Sequence, residues 1–156
     1  MIGARHRTSR AGARPGRALA LAVPLALLGA GCAELPRDPE RTIDRIRERG
    51  TIRLGMVAAA APDPRAEAAL AAVAGQLGAR IERHDGHGED LLAGLDTGRY
   101  DIVYGRFADG SPWAGHVHLG TPPGWQRTPG KDERAPRFAF RNGENGWIMR
   151  VEAAGR

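Results

Sequence analysis

The chain has 156 residues, 23 of them basic and 18 acidic, and its formal net charge is +5. Five of the basic residues and none of the acidic ones precede position 32, so residues 32–156 carry 18 of each and are formally neutral. The high overall basicity therefore gives no support to a nucleic-acid partner. A single cysteine excludes an intrachain disulfide.

The first 31 residues have the features of a secretory signal peptide. Five arginines lie among the first seventeen residues. The stretch 18–31 is apolar and uncharged, and it ends in small residues. This stretch is shorter than the roughly 20 residues that a membrane-spanning helix needs, and Pro24 interrupts it. We therefore predict a cleaved leader at 1–31; the alternative is a short N-terminal membrane anchor that is never cleaved.

Cys32 directly follows the sequence Leu-Leu-Gly-Ala-Gly. This stretch resembles the bacterial lipobox, although Gly29 stands where a large residue is usual and Leu28 lies one step further out. The resemblance implies that Cys32 is lipidated, that 32–38 form a tether, and that the protein is anchored on the periplasmic side of a bacterial membrane. The alternative is a free surface cysteine beside a simple signal.

From residue 39 onward the patterns predict one α/β domain of alternating helices and strands, covering 39–156. In chain order we predict a helix at 39–49, a strand at 51–59, a helix at 64–77, a strand at 79–85, a helix at 88–97, a strand at 100–107, an irregular connection at 108–135, a strand at 136–143 and a helix at 144–155. The strand at 100–107 should be central in a mostly parallel sheet, because its middle is continuously apolar.

Four segments in this order resemble extracellular solute-binding proteins of family 3, the substrate receptors of amino-acid ABC transporters. They read TIDRIRERGTIRLGM, LGARIE, LLAGLDTGRYDIVYG and SPWAGHVHLGTPP, and the tail RFAFRNGENGWIMRVE is similar to the closing strand and helix of some members. The resemblance implies lobe 1 of a periplasmic binding protein, no enzymatic activity, no cofactor, and a transporter permease or another envelope protein as partner.

The chain also departs from that family. Members clamp their ligand between two lobes, but only about a dozen residues lie between Pro123 and Ala135, where the second lobe would stand. Trp113 occupies the place of the family's carboxylate-binding arginine. We therefore expect no tight binding of free amino acids in the family's manner, and an affinity near millimolar at best, equivalent to about −4 kcal/mol.

Four residues at the end of the predicted central strand and just after it are candidate ligand-binding residues: Arg106, Asp109, Ser111 and Trp113. Asp109 followed by Gly110 is first of all a turn signal. Trp113 and Trp125 form either an exposed binding platform or a cover over the end of the sheet. Ser111 is the only serine after position 32 and has no evident base beside it, so nucleophilic catalysis is not expected.

The histidines give a second hypothesis. His84, His87, His116 and His118 would form a metal site if their two segments met; otherwise they are surface residues at strand ends. The function that the sequence favours is transport-associated solute binding, or protein contact, by a non-enzymatic membrane-anchored lipoprotein. The alternative is a small metal- or cell-wall-binding lipoprotein that uses its histidines and tryptophans.

Overall fold

The computed structural model describes residues 38–58, 60–61, 63–124 and 128–156. The predicted signal peptide, Cys32, most of the tether and Trp125 lie outside the described residues. Within the described part of the chain, no helix is both long enough and apolar enough to cross a membrane.

The described elements follow the predicted alternation. They are α1 (Thr42–Arg49), β1 (Thr51–Val57), α2 (Pro64–Leu77), β2 (Arg80–Gly86), α3 (Gly88–Asp96), β3 (Ile102–Phe107), a 3-10 helix (Pro112–Gly115), β4 (Val117–Leu119), β5 (Ala135–Arg141) and α4 (Asn145–Ala154). Local signals set several ends. Asp63 caps α2 by accepting a hydrogen bond from the Arg65 amide at 2.8 Å, and Gly78 ends α2 with a φ of +63°.

The five strands form one sheet in the order β2-β1-β3-β5-β4, so β3 is central as predicted. β1 is parallel to β2 and β3, whereas β5 is antiparallel to β3 and β4. The mostly parallel α/β class is confirmed. β5 runs the other way because it enters the sheet from a connection without a crossover helix.

The connection at 108–135, predicted as irregular, contains a short strand of the sheet. The 3-10 helix Pro112–Gly115 leads directly into β4, which pairs with β5 at the edge of the sheet. Three residues are too short a run for alternation to be recognised in a sequence. The strand forms because Val117, which is 1 % exposed, completes the core beside Ala139.

The sheet separates two apolar cores. The larger lies beneath α1, α2 and α4 and includes Ile46, Val73 and Trp147. The smaller lies beneath α3 and includes Leu95 and Val103. Because helices cover both faces, β3 is buried on both of them, which accounts for its continuous apolar sequence.

The predicted helix at 39–49 is three residues too long at its start, since α1 begins at Thr42. Asp38 does not cap α1. Its carboxylate instead accepts hydrogen bonds from the amides of Gly146 at 2.7 Å and Trp147 at 3.0 Å, at the first turn of α4. Asp38 contacts α4 because the amides at the first turn of a helix have no partner within their own helix and favour a negative charge.

Glu144, just before α4, caps the start of α1 in the same way. Its fully buried carboxylate accepts hydrogen bonds from the amides of Glu40 at 2.7 Å and Thr42 at 2.9 Å. The segment before α4 therefore caps α1, while the segment before α1 caps α4. This exchange ties the two ends of the described domain together.

Glu144→Ala is expected to lower the free energy of unfolding by about 2 kcal/mol, because two amides lose a charged acceptor in a buried place. Glu48→Ala, on the exposed side of α1, is the matched control and should change stability by less than about 0.5 kcal/mol. Urea denaturation of both variants measures the difference. Equal stabilities would contradict the capping role.

Candidate solute-binding cleft

The parallel strands β1, β2 and β3 end together at the carboxyl edge of the sheet. β3 ends at Phe107, which is paired with Ala135 at the start of β5. α3 begins at the same edge, directly after β2. Loops that follow parallel strands converge here, and ligands of open α/β sheets bind outside this edge.

An open cleft of about 540 Å³ lies at this edge, between the start of α3 and the segment that follows β3. Its walls carry both signs of charge and apolar surface. The basic residues are Arg106 and Arg134, the acidic residues are Glu89 and Asp132, and the apolar side chains include Leu92, Phe107 and Trp113.

The structure brings three of the four candidate residues together in this cleft: Arg106, Ser111 and Trp113. Asp109 does not line it. The Asp109 carboxylate is instead paired with the guanidinium of Arg137. The segment 106–113 therefore lines the cleft, but the Asp109 carboxylate forms an ion pair within the protein instead.

Arg106 is the exposed residue of β3, and its Nη2 donates a hydrogen bond to the backbone oxygen of Arg134 at 2.8 Å. This contact holds the guanidinium across the cleft. An arginine side chain has five N–H donors, so one bond to a carbonyl leaves donors for an anionic group.

Ser111 and Trp113 act as a unit. The Ser111 hydroxyl accepts a hydrogen bond from the Trp113 amide at 3.3 Å and so caps the 3-10 helix. The Trp113 ring is half-buried against the core beneath α3 and contacts the His116 ring at 5.8 Å between centroids. Trp113 therefore covers the end of the sheet and forms a wall of the cleft at once.

Tyr104 lies on the face of β3 that packs in the larger core, and it supports the loop that precedes α2. Its hydroxyl accepts a hydrogen bond from the Asp63 amide at 3.1 Å, just before α2. Burial raises the pKa of this hydroxyl, because a phenolate would lose its hydration. The side chain is therefore neutral and holds the start of α2 in place.

Asp101, part of the resemblance to family 3, lies at the opposite end of β3. Its buried carboxylate is paired with Arg49 at 2.7 Å and Arg53 at 2.9 Å, and it also accepts from the Arg53 amide. These contacts join α1, β1 and β3 at the amino edge of the sheet. Asp101 is thus a structural residue and not part of the cleft.

Arg137 is a residue that we did not single out from the sequence. It is only 2 % exposed; its Nη1 contacts Asp109, and its Nε and Nη2 have no hydrogen-bond partner among the residues that the structure describes. The alternation of residues along β5 could have indicated that the Arg137 side chain is buried. Arg137 shares a face of β5 with Ala135 and Ala139, two small residues that leave room for a long side chain.

No protein-family model and no curated protein sequence matches the chain. Solved structures do match. Domain 1 of the T. maritima protein TmArgBP, in its arginine-bound form, has a TM-score of 0.56 and 17 % identity, with 71 % of this chain and 95 % of that chain covered. An ancestral cationic amino acid solute-binding protein has a TM-score of 0.55 and 15 % identity, with 72 % and 91 % covered.

A third match is an amino acid ABC transporter substrate-binding protein from Streptococcus pneumoniae, bound to L-arginine. Its TM-score is 0.59 at 10 % identity, with 72 % of this chain and 90 % of that chain covered. The fold is that of one lobe of a periplasmic binding protein. At these identities the likeness establishes the fold of the lobe, and the neighbours named here are binding proteins.

The lobe does not bring the four histidines together. His84 lies on β2 and His118 on β4, at opposite edges of the sheet and separated by four strand spacings of about 4.8 Å each. Among the described residues, no group of three or more histidine, cysteine or acidic side chains is placed to hold a metal ion.

The two histidines near β4, His116 and His118, contact different cores. The His116 ring contacts Trp113, beside the core beneath α3, whereas the His118 ring contacts Phe140 of the other core. His84 pairs with Glu82 at 3.1 Å and contacts the Tyr100 ring. His84, His116 and His118 thus make separate local contacts, and His87 stands directly before α3.

Proposed function

We propose that this protein is a membrane-anchored extracytoplasmic lobe that binds a small polar solute in the cleft at the carboxyl edge of its sheet. The observation that carries the proposal is the cleft itself, which combines Arg106 with Glu89, Asp132 and the Trp113 ring at the edge where such sheets bind ligands. The role is binding and not catalysis, and it is associated with transport.

The charges of the cleft favour a zwitterionic or cationic solute of the amino-acid class. Arg106 and Arg134 suit a carboxylate, Glu89 and Asp132 suit an ammonium or guanidinium group, and Trp113 offers an aromatic face to a cation. The neighbours support this class: TmArgBP domain 1, a single lobe, has been described in an arginine-bound form.

Affinity should be low. A two-lobed receptor removes its ligand from water on closure, which strengthens each polar contact. This cleft is open on one side, so a bound solute stays partly hydrated. We expect a dissociation constant of about 1 mM or weaker, equivalent to about −4 kcal/mol.

Titration of residues 33–156 with the twenty amino acids, followed by calorimetry and by amide NMR shifts, tests the proposal. At least one amino acid should bind, and Arg106→Ala should weaken it about tenfold, the loss of one hydrogen bond to a charged group. Arg99→Ala, an exposed arginine just before β3 at the other end of the sheet, should change nothing.

Absence of binding at tens of millimolar would overturn solute binding by this cleft. A dissociation constant of about 10 μM or tighter, lost in Arg106→Ala, would contradict the low affinity and show that a single lobe suffices for tight binding.

We propose further that lipid on Cys32 holds the lobe at the periplasmic side of a bacterial membrane, where a transporter permease or another envelope protein is its partner. The leader at 1–31 and the position of Cys32 support the anchor. The S. pneumoniae neighbour, an ABC transporter substrate-binding protein by name, supports an association with transport.

A further inference from the structure

The chain enters the described domain at the amino edge of the sheet, where β1, β2 and β3 begin. Asp38 accepts hydrogen bonds from the first turn of α4, and the Trp147 indole in that turn donates to the backbone oxygen of Asp101, directly before β3, at 2.9 Å. Glu40 pairs at 3.1 Å with Arg141, the last residue of β5. Because β5 is antiparallel to β3, its end also lies at this edge. These contacts fix the point of entry.

The cleft lies at the opposite edge. β3 ends at Phe107, and the cleft walls continue beyond it in the segment that contains Ser111 and Trp113. From Asp101 to Phe107 the strand rises about 20 Å. The point of entry and the mouth of the cleft are therefore separated by more than the length of a strand.

The tether between the proposed lipid and the domain is short. Cys32 and Asp38 are six residues apart in the sequence, and a fully extended chain of that length reaches about 22 Å. If the cleft faced the membrane, Asp38 would stand about 20 Å above it, plus the depth of the loops that wall the cleft. Only a completely stretched tether would approach that distance, and conformational entropy opposes such stretching.

We propose that the amino edge of the sheet, with α1 lying along it, is the surface that faces the membrane, and that the cleft opens away from that membrane. Both ends of α1 lie at this edge: the Thr42 amide donates to Glu144 at 2.9 Å, and Arg49 pairs with Asp101 at 2.7 Å. The inference rests on the lipid anchor of the proposed function and is independent of which solute the cleft binds.

The partner of this surface is the layer of polar lipid headgroups. The amino edge exposes charges of both signs, including Arg47 and Glu48 on α1 and Arg99 before β3. Burying such groups in hydrocarbon would be costly, so the edge lies beside the headgroups and does not insert. The short tether, and not an excess of one charge, sets the orientation.

The orientation also decides which kind of protein can meet the cleft. A permease surface level with the membrane would face the amino edge, on the far side of the sheet from the cleft. A partner that exchanges solute with the cleft must therefore extend on the order of 20 Å or more from the membrane, or be free in the periplasm. Of the partners proposed above, this selects an envelope protein that projects from the membrane.

Fluorescence quenching on phospholipid vesicles tests the orientation. The full chain is purified with its lipid, reconstituted, and labelled on one added cysteine, which is the only free thiol because Cys32 carries the lipid. A nitroxide on the lipid headgroup quenches the label only at short range. Arg99→Cys, exposed at the amino edge, should be quenched severalfold more than Lys131→Cys, which is exposed beside the cleft and whose backbone oxygen accepts from the Gly110 amide at 2.7 Å.

A longer tether is the matched control. Insertion of about 30 Gly and Ser residues between Leu35 and Pro36 gives a linker with an r.m.s. length of about 30 Å, which lets the lobe turn over. The difference between the two labels should then disappear. Equal quenching of the two labels with the natural tether, or an undiminished difference with the long one, would overturn the orientation. A chain that does not sediment with the vesicles would disprove the anchor itself, and the orientation with it.

Discussion

Ile102→Asp is expected to unfold the domain. Ile102 is fully buried in the central strand, where it packs in the larger core beneath α1, α2 and α4. An uncompensated buried charge costs about 3–5 kcal/mol, added to the loss of the apolar side chain. Because a domain of this kind is stable by about 5–15 kcal/mol in total, the folded state should no longer dominate at 37 °C.

Far-ultraviolet circular dichroism and thermal denaturation of residues 33–156 measure this effect. Met149→Asp is the matched control, since Met149 on α4 is 62 % exposed and its replacement should leave the melting temperature within a few degrees. A cooperative transition for Ile102→Asp close to that of the control would contradict the central, doubly covered position of β3.

Cys32→Ser is expected to abolish stable membrane association. A diacylglyceryl thioether together with an amide-linked chain holds a protein firmly, whereas a single acyl chain binds marginally. The unaltered protein should therefore sediment with membranes in high salt. The serine variant should appear in the soluble fraction or accumulate as an unprocessed precursor, because no thiol is present to carry the lipid.

Ala33→Ser is the control for a hydroxyl beside the processing site, and it should remain with the membranes. Mass spectrometry of the purified protein gives the second measurement, since lipidated Cys32 carries the added mass of its acyl chains. A soluble protein with an intact Cys32 thiol would disprove the anchor.

Most elements of the fold could be predicted because their signals are local. Asp63 and Pro64 mark the start of α2, and Gly78 marks its end, through preferences that act within one turn of helix. The apolar run at 102–104 indicated a strand covered on both faces. Arg106, near the end of β3, and Ser111 and Trp113, shortly after it, line one cleft, because residues close in sequence at the end of a strand stay close together at the edge of the sheet.

The contacts that the cleft residues make with distant parts of the chain could not be predicted from local sequence signals. Asp109 and Arg137 are 28 residues apart and meet only because β3 and β5 are antiparallel neighbours. Arg134 and Asp132, which line the cleft, fall in the stretch predicted as an irregular connection. Nothing in their local sequence indicates that they reach the same edge as Arg106.

The sequence by itself determined the class of fold, the order of its elements other than β4, and the central strand, because hydrophobic period and capping preference act over a few residues. Only the tertiary structure decided that Asp38 caps α4 and Glu144 caps α1, contacts that join residues 102–109 positions apart. It also separated His84 from His118, since the order of strands sets those distances. The pairing of charges that are far apart in the sequence depends on which elements pack together, and the local sequence around each charge does not indicate this.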